Sequence, residues 1–324
     1  MRRRSITMSA AALMAAPSLM RAEGSYPARP LRLIAPYPAG GPTDQFTRAV
    51  AERLQAGLAQ SVVVENRPGA NTIIGTSAAA KAAPDGYTLL MGSSTSLAVN
   101  PVVYKSLPYD PVADFQNVSY CGSSPLVMVV PADLPVRNLK EFVELARRSP
   151  GALNLATPGA GGAQHLAGEL FNAMAGISMV SVPFQGGAPA LASLMGGQTQ
   201  VFYEVVLSAA PHLKSGKVRA LAITGPSRIA LLPEVPTVAE AGYPGYEALI
   251  WYGIVAPRHT PAPIVQRLNA ELTRALQSPE MRERFAPLAL NLAASTPQEM
   301  TEFVARERSK WGGVARSARV QIES

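Results

Sequence analysis

The sequence predicts an α/β protein of two domains that face each other across a cleft. Short apolar runs of strand length alternate with amphipathic segments of helical spacing over most of the chain. The 324 residues are too many for one compact core and enough for two. Three junctions from strand to helix, at residues 37–43, 157–164 and 185–188, are rich in glycine. Such junctions gather at the carboxyl ends of the strands in open α/β sheets, where ligands bind.

Leu31–Ala35 is an apolar run with one charge, long enough for a strand and too short for a helix. Pro36, Pro38, Gly40, Gly41 and Pro42 break the chain after it. Phe46, Val50, Leu54 and Leu58 then recur at four-residue spacing, one face of a helix that Thr43 or Asp44 is placed to cap. Residues 61–65 (SVVVE) read as a second buried strand, 66–69 (NRPG) as a turn, and the Ala-rich 73–83 as a helix stopped by Pro84-Asp85-Gly86. Residues 87–92 form a third strand, followed by a hydroxyl-rich loop at 93–96. This alternation implies parallel pairing with right-handed crossovers.

Residues 101–115 read as irregular, with prolines at 101, 108 and 111. Residues 117–130 hold two β-like runs split by Gly122 and Pro125, and the first crossing between domains is expected there. The alternation then resumes. Helices are expected at 139–148, 164–175, after Gln185-Gly186-Gly187, and at 209–215; strands at 153–156, 179–184, 200–206 and 218–224. The Pro/Gly-rich 231–245 leads to a long apolar strand at 246–256, the crossing back. Helices at 261–277, 279–286 and 297–315, with a short strand at 288–292, close the chain. The expected division is therefore 26–124 with 250–324 as one discontinuous domain and 125–249 as the other.

The N-terminus reads as an export signal over residues 1–22. Arg2, Arg3 and Arg4 precede a short apolar stretch, and Met20-Arg21-Ala22 ends in the small residue a signal peptidase needs. Arg3-Arg4-Ser5-Ile6 also loosely fits a twin-arginine signal. The formal charge is +7; the segment carries four arginines and no acid, which leaves about +3 for the mature chain, too mild to imply a nucleic-acid partner. No other run is long and apolar enough to span a membrane. Cys121 is the only cysteine, so no internal disulfide is possible, and a buried core position is expected for it.

The loop after the first strand leaves free backbone N–H groups at a helix start, with glycines that admit a ligand to the backbone. That geometry binds anions. A second such loop, Thr157 to Gly162 (TPGAGG), would supply the other half of a clamp for a carboxylate. Charge-assisted bonds contribute about 1.5–3 kcal/mol each net. Four give roughly 6–12 kcal/mol, and a micromolar binder needs about 8. Backbone groups alone suffice on that count, without Arg or Lys. Glycines that merely make tight turns are the bland alternative for any one loop. Gly159-Ala160-Gly161-Gly162 lacks the GxGxxG order, and no Lys-Ser/Thr follows, which argues against a nucleotide phosphate loop.

Catalytic constellations are sparse. His165, His212 and His259 lie in separate elements, and there is no HExxH, cysteine pair, GxSxG or SxxK. His165 falls in the first turn of a helix, where a cation opposes the dipole, so a neutral side chain bonded within the loop is expected rather than a general base. Glu204, inside the apolar VFYEVV, either orients a ligand donor or pairs with a buried base. Trp251 and Tyr252 read as core and hinge packing. No metal or cofactor is expected.

YPARPLRLIAPYPAGGPTD, VVVENRPGANTIIG, AAPDGYTLLMG, LPYDPVADF, HLAGELF, VPFQGGAPAL, VRALAITG, LPEVPTVAEAGYPGYE and APRHTPAPIVQRLN, in that order, closely resemble the tripartite tricarboxylate transporter substrate-binding receptors, also called Bug-type periplasmic proteins. The likeness runs from Tyr26 nearly to Trp311. It implies a two-domain periplasmic-binding-protein architecture, a type II Venus flytrap with the ligand cleft between domains. It implies that the first loop (Tyr37, Pro38, Ala39, Gly40, Gly41, Thr43, Asp44) and the second (Thr157, Gly159, Ala160, Gly161, Gly162, Ala163, Gln164, His165) grip a ligand carboxylate through backbone amides and ordered waters. Ser94, Phe184, Gln185 and Glu204 complete the candidate set. The implied partners are a small organic carboxylate and the integral membrane subunits of the transporter, with the receptor a periplasmic monomer. Phe184-Gln185 stands where Tyr-Lys is common in the family, Glu204 where Asp is common, and the second loop carries fewer hydroxyls. These departures favour an apolar or aromatic monocarboxylate over citrate. A receptor for a signalling partner would use the same cleft, and a secreted hydrolase built on Ser94 or Ser96 with a distant histidine is the remaining alternative.

Overall fold

The computed structural model describes residues 26–323. The predicted export segment, residues 1–22, lies outside these described residues.

The chain opens with β1 (Leu31–Ala35), α1 (Pro42–Leu58), β2 (Val62–Asn66), α2 (Ile73–Ala80) and β3 (Thr88–Ser93). β1 lies between β2 and β3, parallel to both, as the alternation predicts. Phe46, Val50, Leu54 and Leu58 are all buried, the face expected from their spacing. Gly41, in extended conformation, is the residue before α1, and Pro42 is its first residue. Thr43 and Asp44 therefore lie inside the first turn and do not cap it, because the fixed φ of proline starts the helix one residue earlier. The expected loop at 93–96 is also corrected. Ser94–Val99 is a buried π-type turn in which the Asn100 N–H donates to Thr95 O. Ser93 and Ser96 satisfy each other's backbone at its start, so the hydroxyls bring the segment into the core and do not hold it in solvent. α3 (Asn100–Val103) follows within the stretch read as irregular.

β4 (Phe115–Pro131) is one strand where two runs were expected. Gly122 sits at a bulge with φ +150, where a Cβ would lie 2.6 Å from the Asn291 carbonyl oxygen. Pro125 has no N–H to give and stands where β4 exchanges one set of neighbours for another, the position a central strand tolerates proline. After it come α4 (Leu139–Arg148), β5 (Asn154–Thr157), α5 (Ala163–Ala175), β6 (Val180–Pro183), α6 (Gly187–Met195), β7 (Val201–Val205), α7 (Val206–Lys214) and β8 (Val218–Ile223). β9 (Leu249–Pro257) returns, and α8 (Ala262–Gln277), α9 (Pro279–Phe285), β10 (Asn291–Leu292) and α10 (Pro297–Ser317) close the chain.

Pairing follows the path β2-β1-β3-β9-β4-β7-β5-β6, with β8 and β10 on β4 as branches. β4 gives residues 115–125 to a sheet with β9 and residues 126–131 to a second sheet with β7 and β8. β5 is parallel to β6 and β7, whereas β4 runs antiparallel to β7, β8 and β9. One hydrophobic cluster runs from the first sheet through β4 to α5; a smaller one fills the space between the second sheet, α6 and α7. Cys121 is buried in the larger cluster, and burial pushes its thiol up to about 12, so it is an inert core residue as expected. Trp251 and Trp311 both donate their indole N–H to Glu307 Oε2, at 2.9 and 3.0 Å, which ties β9 to α10. No helix among the described residues is long and apolar enough to cross a membrane.

Candidate functional site

The strand register brings two sets of carboxyl ends to one place. β3 ends at Ser93, paired with Tyr252 of β9, which pairs in turn with Gly122 of β4. β7 ends at Val205, paired with Leu126 of β4. Four residues of β4 separate the two levels, about 13 Å at ~3.3 Å per residue. The ends of both sheets thus flank the point where the chain passes between them, with space for a small molecule. The starts of α1 and α7 meet there: Pro42, Gln45 and Phe46 line a common pocket with Val205, Leu207, Ser124 and Tyr252. A larger open depression around Tyr104, Lys105, Tyr109 and Arg308 contains none of the sequence-predicted residues.

The first loop is braced from within. Tyr37 Oη and Ser93 Oγ are 2.7 Å apart, and Thr43 Oγ1 lies 3.1 Å from Tyr252 Oη. Asp44 is buried and turned toward its own loop: Oδ2 accepts from the Gly40 N–H and from Arg48, and Oδ1 accepts from Asn66 Nδ2. Burial raises the pKa of this carboxyl, but those hydrogen bonds outweigh it and hold the pKa below the ordinary value. Asp44 therefore shapes the loop. Pro38, Ala39 and Gly40 are exposed, and Gly41 is half-buried at the helix start.

The second loop rests on elements of the first sheet. Asn71 Nδ2 reaches the Ala160 carbonyl at 3.5 Å, and its side chain faces Gly159 and Gly162 so closely that a Cβ at either would lie 3.2–3.3 Å from Oδ1. Gly161 has φ +68, and a Cβ on it would sit 3.0 Å from both Val103 Cγ2 and Ile322 Cγ1. His165 Nδ1 accepts the Gly161 N–H at 3.0 Å while Nε2 lies 3.5 Å from Glu169. An accepting Nδ1 is the neutral imidazole, bonded within the loop as the sequence suggests. Ala163 is buried and Gln164 half-buried in the first turn of α5. No hydrogen bond joins the two loops directly. The segment 66–71 links them, with Asn66 against the first and Asn71 against the second.

On the third junction, Phe184 is half-buried against the smaller core cluster and Gln185 is exposed. Glu204 is buried, with Oε1 accepting the Val205 N–H at 2.6 Å and Oε2 facing the backbone of Gly187 at the start of α6. Among the described residues no cation pairs with it, and burial raises its pKa to about 7 despite that one hydrogen bond. Of the two sequence readings of Glu204, the buried ion pair finds no partner among the described residues.

The helices that start at these strand ends are open. α1, α5, α6 and α7 have no side-chain cap, nor do α2, α3 and α8, whereas α4, α9 and α10, which start elsewhere, are capped by Asn138, Ser278 and Thr296. Two buried hydroxyls at the same edge, Ser94 Oγ at the end of β3 and Thr157 Oγ1 at the end of β5, have no partner. Open helix starts and unpartnered hydroxyls suit an anion. Among the described residues neither Ser94 nor Ser96 bonds to a histidine, and no group of three metal-ligating side chains occurs. Sequence reasoning missed Asn66, Asn71, Tyr252, Val103 and Ile322. Only the NRPGAN run carries a local signal, a turn, and nothing in the sequence shows which distant loop it meets.

The sequence matches the profile of the family described as "Tripartite tricarboxylate transporter family receptor" over residues 46–319. It is 39% identical over 300 residues to protein BugT of Bordetella pertussis, covering 92% of each chain. Among solved structures it is similar to an R. palustris protein with adipate (TM-score 0.86, 34% identity, 92% of this chain and 100% of that one). It is also similar to periplasmic binding protein BugD (0.83, 33%, 92% and 100%) and to MatC from Rhodopseudomonas palustris with bound malate (0.80, 32%, 89% and 99%). The architecture is the two-domain α/β periplasmic-binding-protein fold with its ligand cleft between domains.

Proposed function

The chain belongs to the tripartite tricarboxylate transporter receptor family, whose members are periplasmic solute-binding proteins and not enzymes, and we propose that it captures a small organic carboxylate and delivers it to the membrane subunits of such a transporter. One observation carries this reading: each sheet presents a buried hydroxyl without a partner, Ser94 Oγ and Thr157 Oγ1, at the edge where helices start uncapped. A carboxylate accepts from both hydroxyls and from the free N–H groups of α1 and α5. The adipate- and malate-bound relatives support the ligand class.

The lobes divide where β4 passes from one sheet to the other and where the chain returns to the start of β9, into 26–124 with 250–324 and 125–249. The gripping residues are those of the first and second loops with Ser94, Phe184, Gln185 and Glu204, while Asp44 and His165 act by bracing. The receptor is exported, sheds residues 1–22 and works as a monomer. The apolar walls from Phe46, Tyr252, Val205 and Leu207, with no Lys or Arg among them, favour an acid with an apolar or aromatic body.

Calorimetry and thermal melting against adipate, malate, benzoate and nicotinate test the proposal. A hundredfold excess over Kd is expected to stabilise the protein by about 2.7 kcal/mol. If no acid gives heat or raises the melting temperature, the receptor reading fails.

A further inference from the structure

Glu204 is the one buried carboxyl in the candidate site that is neither ion-paired nor used to brace a loop. Its only hydrogen bond is the one from the Val205 N–H, and Oε2 fills the space left by the missing side chain of Gly187. The elements packed around it bring no compensating charge. The stretch of β4 beside it, β5 and α6 carry no ionisable side chain, and β7 carries only the buried Tyr203. On α7, His212 and Lys214 lie in the last turn, at the far end from Glu204. On α5, His165 and Glu169 face each other. An ionised Glu204 would thus be a negative charge with no cation beside it and one N–H to hold it, at an edge whose open helix starts α6 and α7 attract a second one.

We propose that Glu204 is protonated in the ligand-bound receptor, so that the site takes up one proton together with an anionic ligand and binds it less tightly at alkaline pH. The inference rests on the reading of the site as a carboxylate receptor. Two carboxylates at close range do not both ionise, so a bound acid drives the Glu204 pKa upward. Burial has already raised it to about 7 in the empty protein. The proton comes from solvent and settles on Oε2, the oxygen not engaged by Val205. The neutral group then donates a hydrogen bond where an ionised one only accepts. The sign follows: below about pH 7 the proton is present before binding and affinity is flat; above it, each unit of pH weakens binding by up to tenfold until the bound-state pKa is reached.

The test is calorimetry of the wild-type protein with malate and benzoate, both ionised throughout, from about pH 6 to about pH 8.5 in buffers of different ionisation enthalpy. Uptake approaching one proton at pH 8, with Kd rising up to tenfold per unit above pH 7, supports the proposal. Glu204→Gln, which carries the neutral shape at every pH, is expected to lose both the proton uptake and the pH slope. Binding without proton uptake, or binding that tightens as pH rises, overturns the inference and leaves the receptor reading standing. No binding of any acid at any pH overturns both. If Glu204→Gln does not fold, the proton count on the wild-type chain decides alone.

Discussion

Thr157 and Ser94 show what a single residue contributes here. Each buries a hydroxyl with nothing to bond, which a folded chain keeps at some expense in stability. Thr157→Val keeps the volume and removes the orphan. It is expected to leave the melting temperature unchanged or higher while weakening ligand binding about tenfold, the worth of one hydrogen bond. A loss of stability without a loss of affinity would show the hydroxyl to be structural. Glu204 gives a second prediction at this scale, for the empty protein. Its folded pKa, about 7, lies above its ordinary 4.5. The folded state therefore holds a proton that the unfolded chain releases. That stabilisation is complete below about pH 4.5, declines as pH rises, and is lost above about pH 7, on the order of 3 kcal/mol in all. Denaturant melts at pH 5 and pH 8 are expected to show the decline, and Glu204→Gln to flatten it. The loop-bound role of His165 was readable from its place in a helix's first turn. The orphaned hydroxyls were not, because a missing partner is a property of the surroundings.

Among elements, the segment between β2 and α2 is the most informative. Ala70, Asn71 and Thr72 all have positive φ, at 45, 51 and 75, directly after Gly69 at 124. Non-glycine residues are held this way only when the surroundings enforce it, and such strain gathers at functional sites. Asn71 and Asn100 enforce it here: Asn71 Nδ2 donates to Asn100 Oδ1 at 2.9 Å, and Asn100 Nδ2 donates back to the Asn71 carbonyl at 2.8 Å. Asn71→Gly loses the side-chain bonds to Asn100 and Ala160 but relaxes the backbone, whereas Asn71→Ala loses the same bonds and keeps the strain. The alanine variant is expected to be less stable than the glycine variant by about 1 kcal/mol. Both are expected to bind ligand more weakly, since the second loop loses its support. Equal melting temperatures would remove strain from the account. The turn at 66–69 was legible from its Pro-Gly pair; its continuation in the left-handed region was not, because tertiary hydrogen bonds impose it.

For the whole molecule, the contact that matters joins the C-terminal segment to α3 and the second loop. Ile322 pairs with Tyr104 beside α3 and packs against Gly161 in the second loop. The last residues thus form part of the platform on which the other lobe rests. A chain ending at Val320 is expected to keep its fold, because the main sheets and all the buried members of both hydrophobic clusters are already present and only the partly buried Ile322 is lost, and to bind ligand several-fold more weakly. Hydrogen exchange is expected to quicken at residues 157–162 in the shortened chain, a local opening that leaves the core protected. Unchanged exchange there would show that the tail plays no part in closure.

Read along the chain alone, residue patterns account for the alternation of strands and helices, the parallel pairing of β1 to β3, the glycine-rich junctions and the core position of Cys121. Each follows from local periodicity, turn chemistry or the count of a residue type. It takes the packed fold to run β4 unbroken through Pro125 from one sheet to the other, to turn Ser93–Val99 inward, to set Asp44 in the service of its own loop, and to bring Asn71 and Ile322 beneath the second loop. The physical reason is range. A hydrophobic repeat is fixed by neighbours three or four residues away, whereas the partner of a buried hydroxyl or a strained turn lies across the fold, where strand register alone determines what meets what.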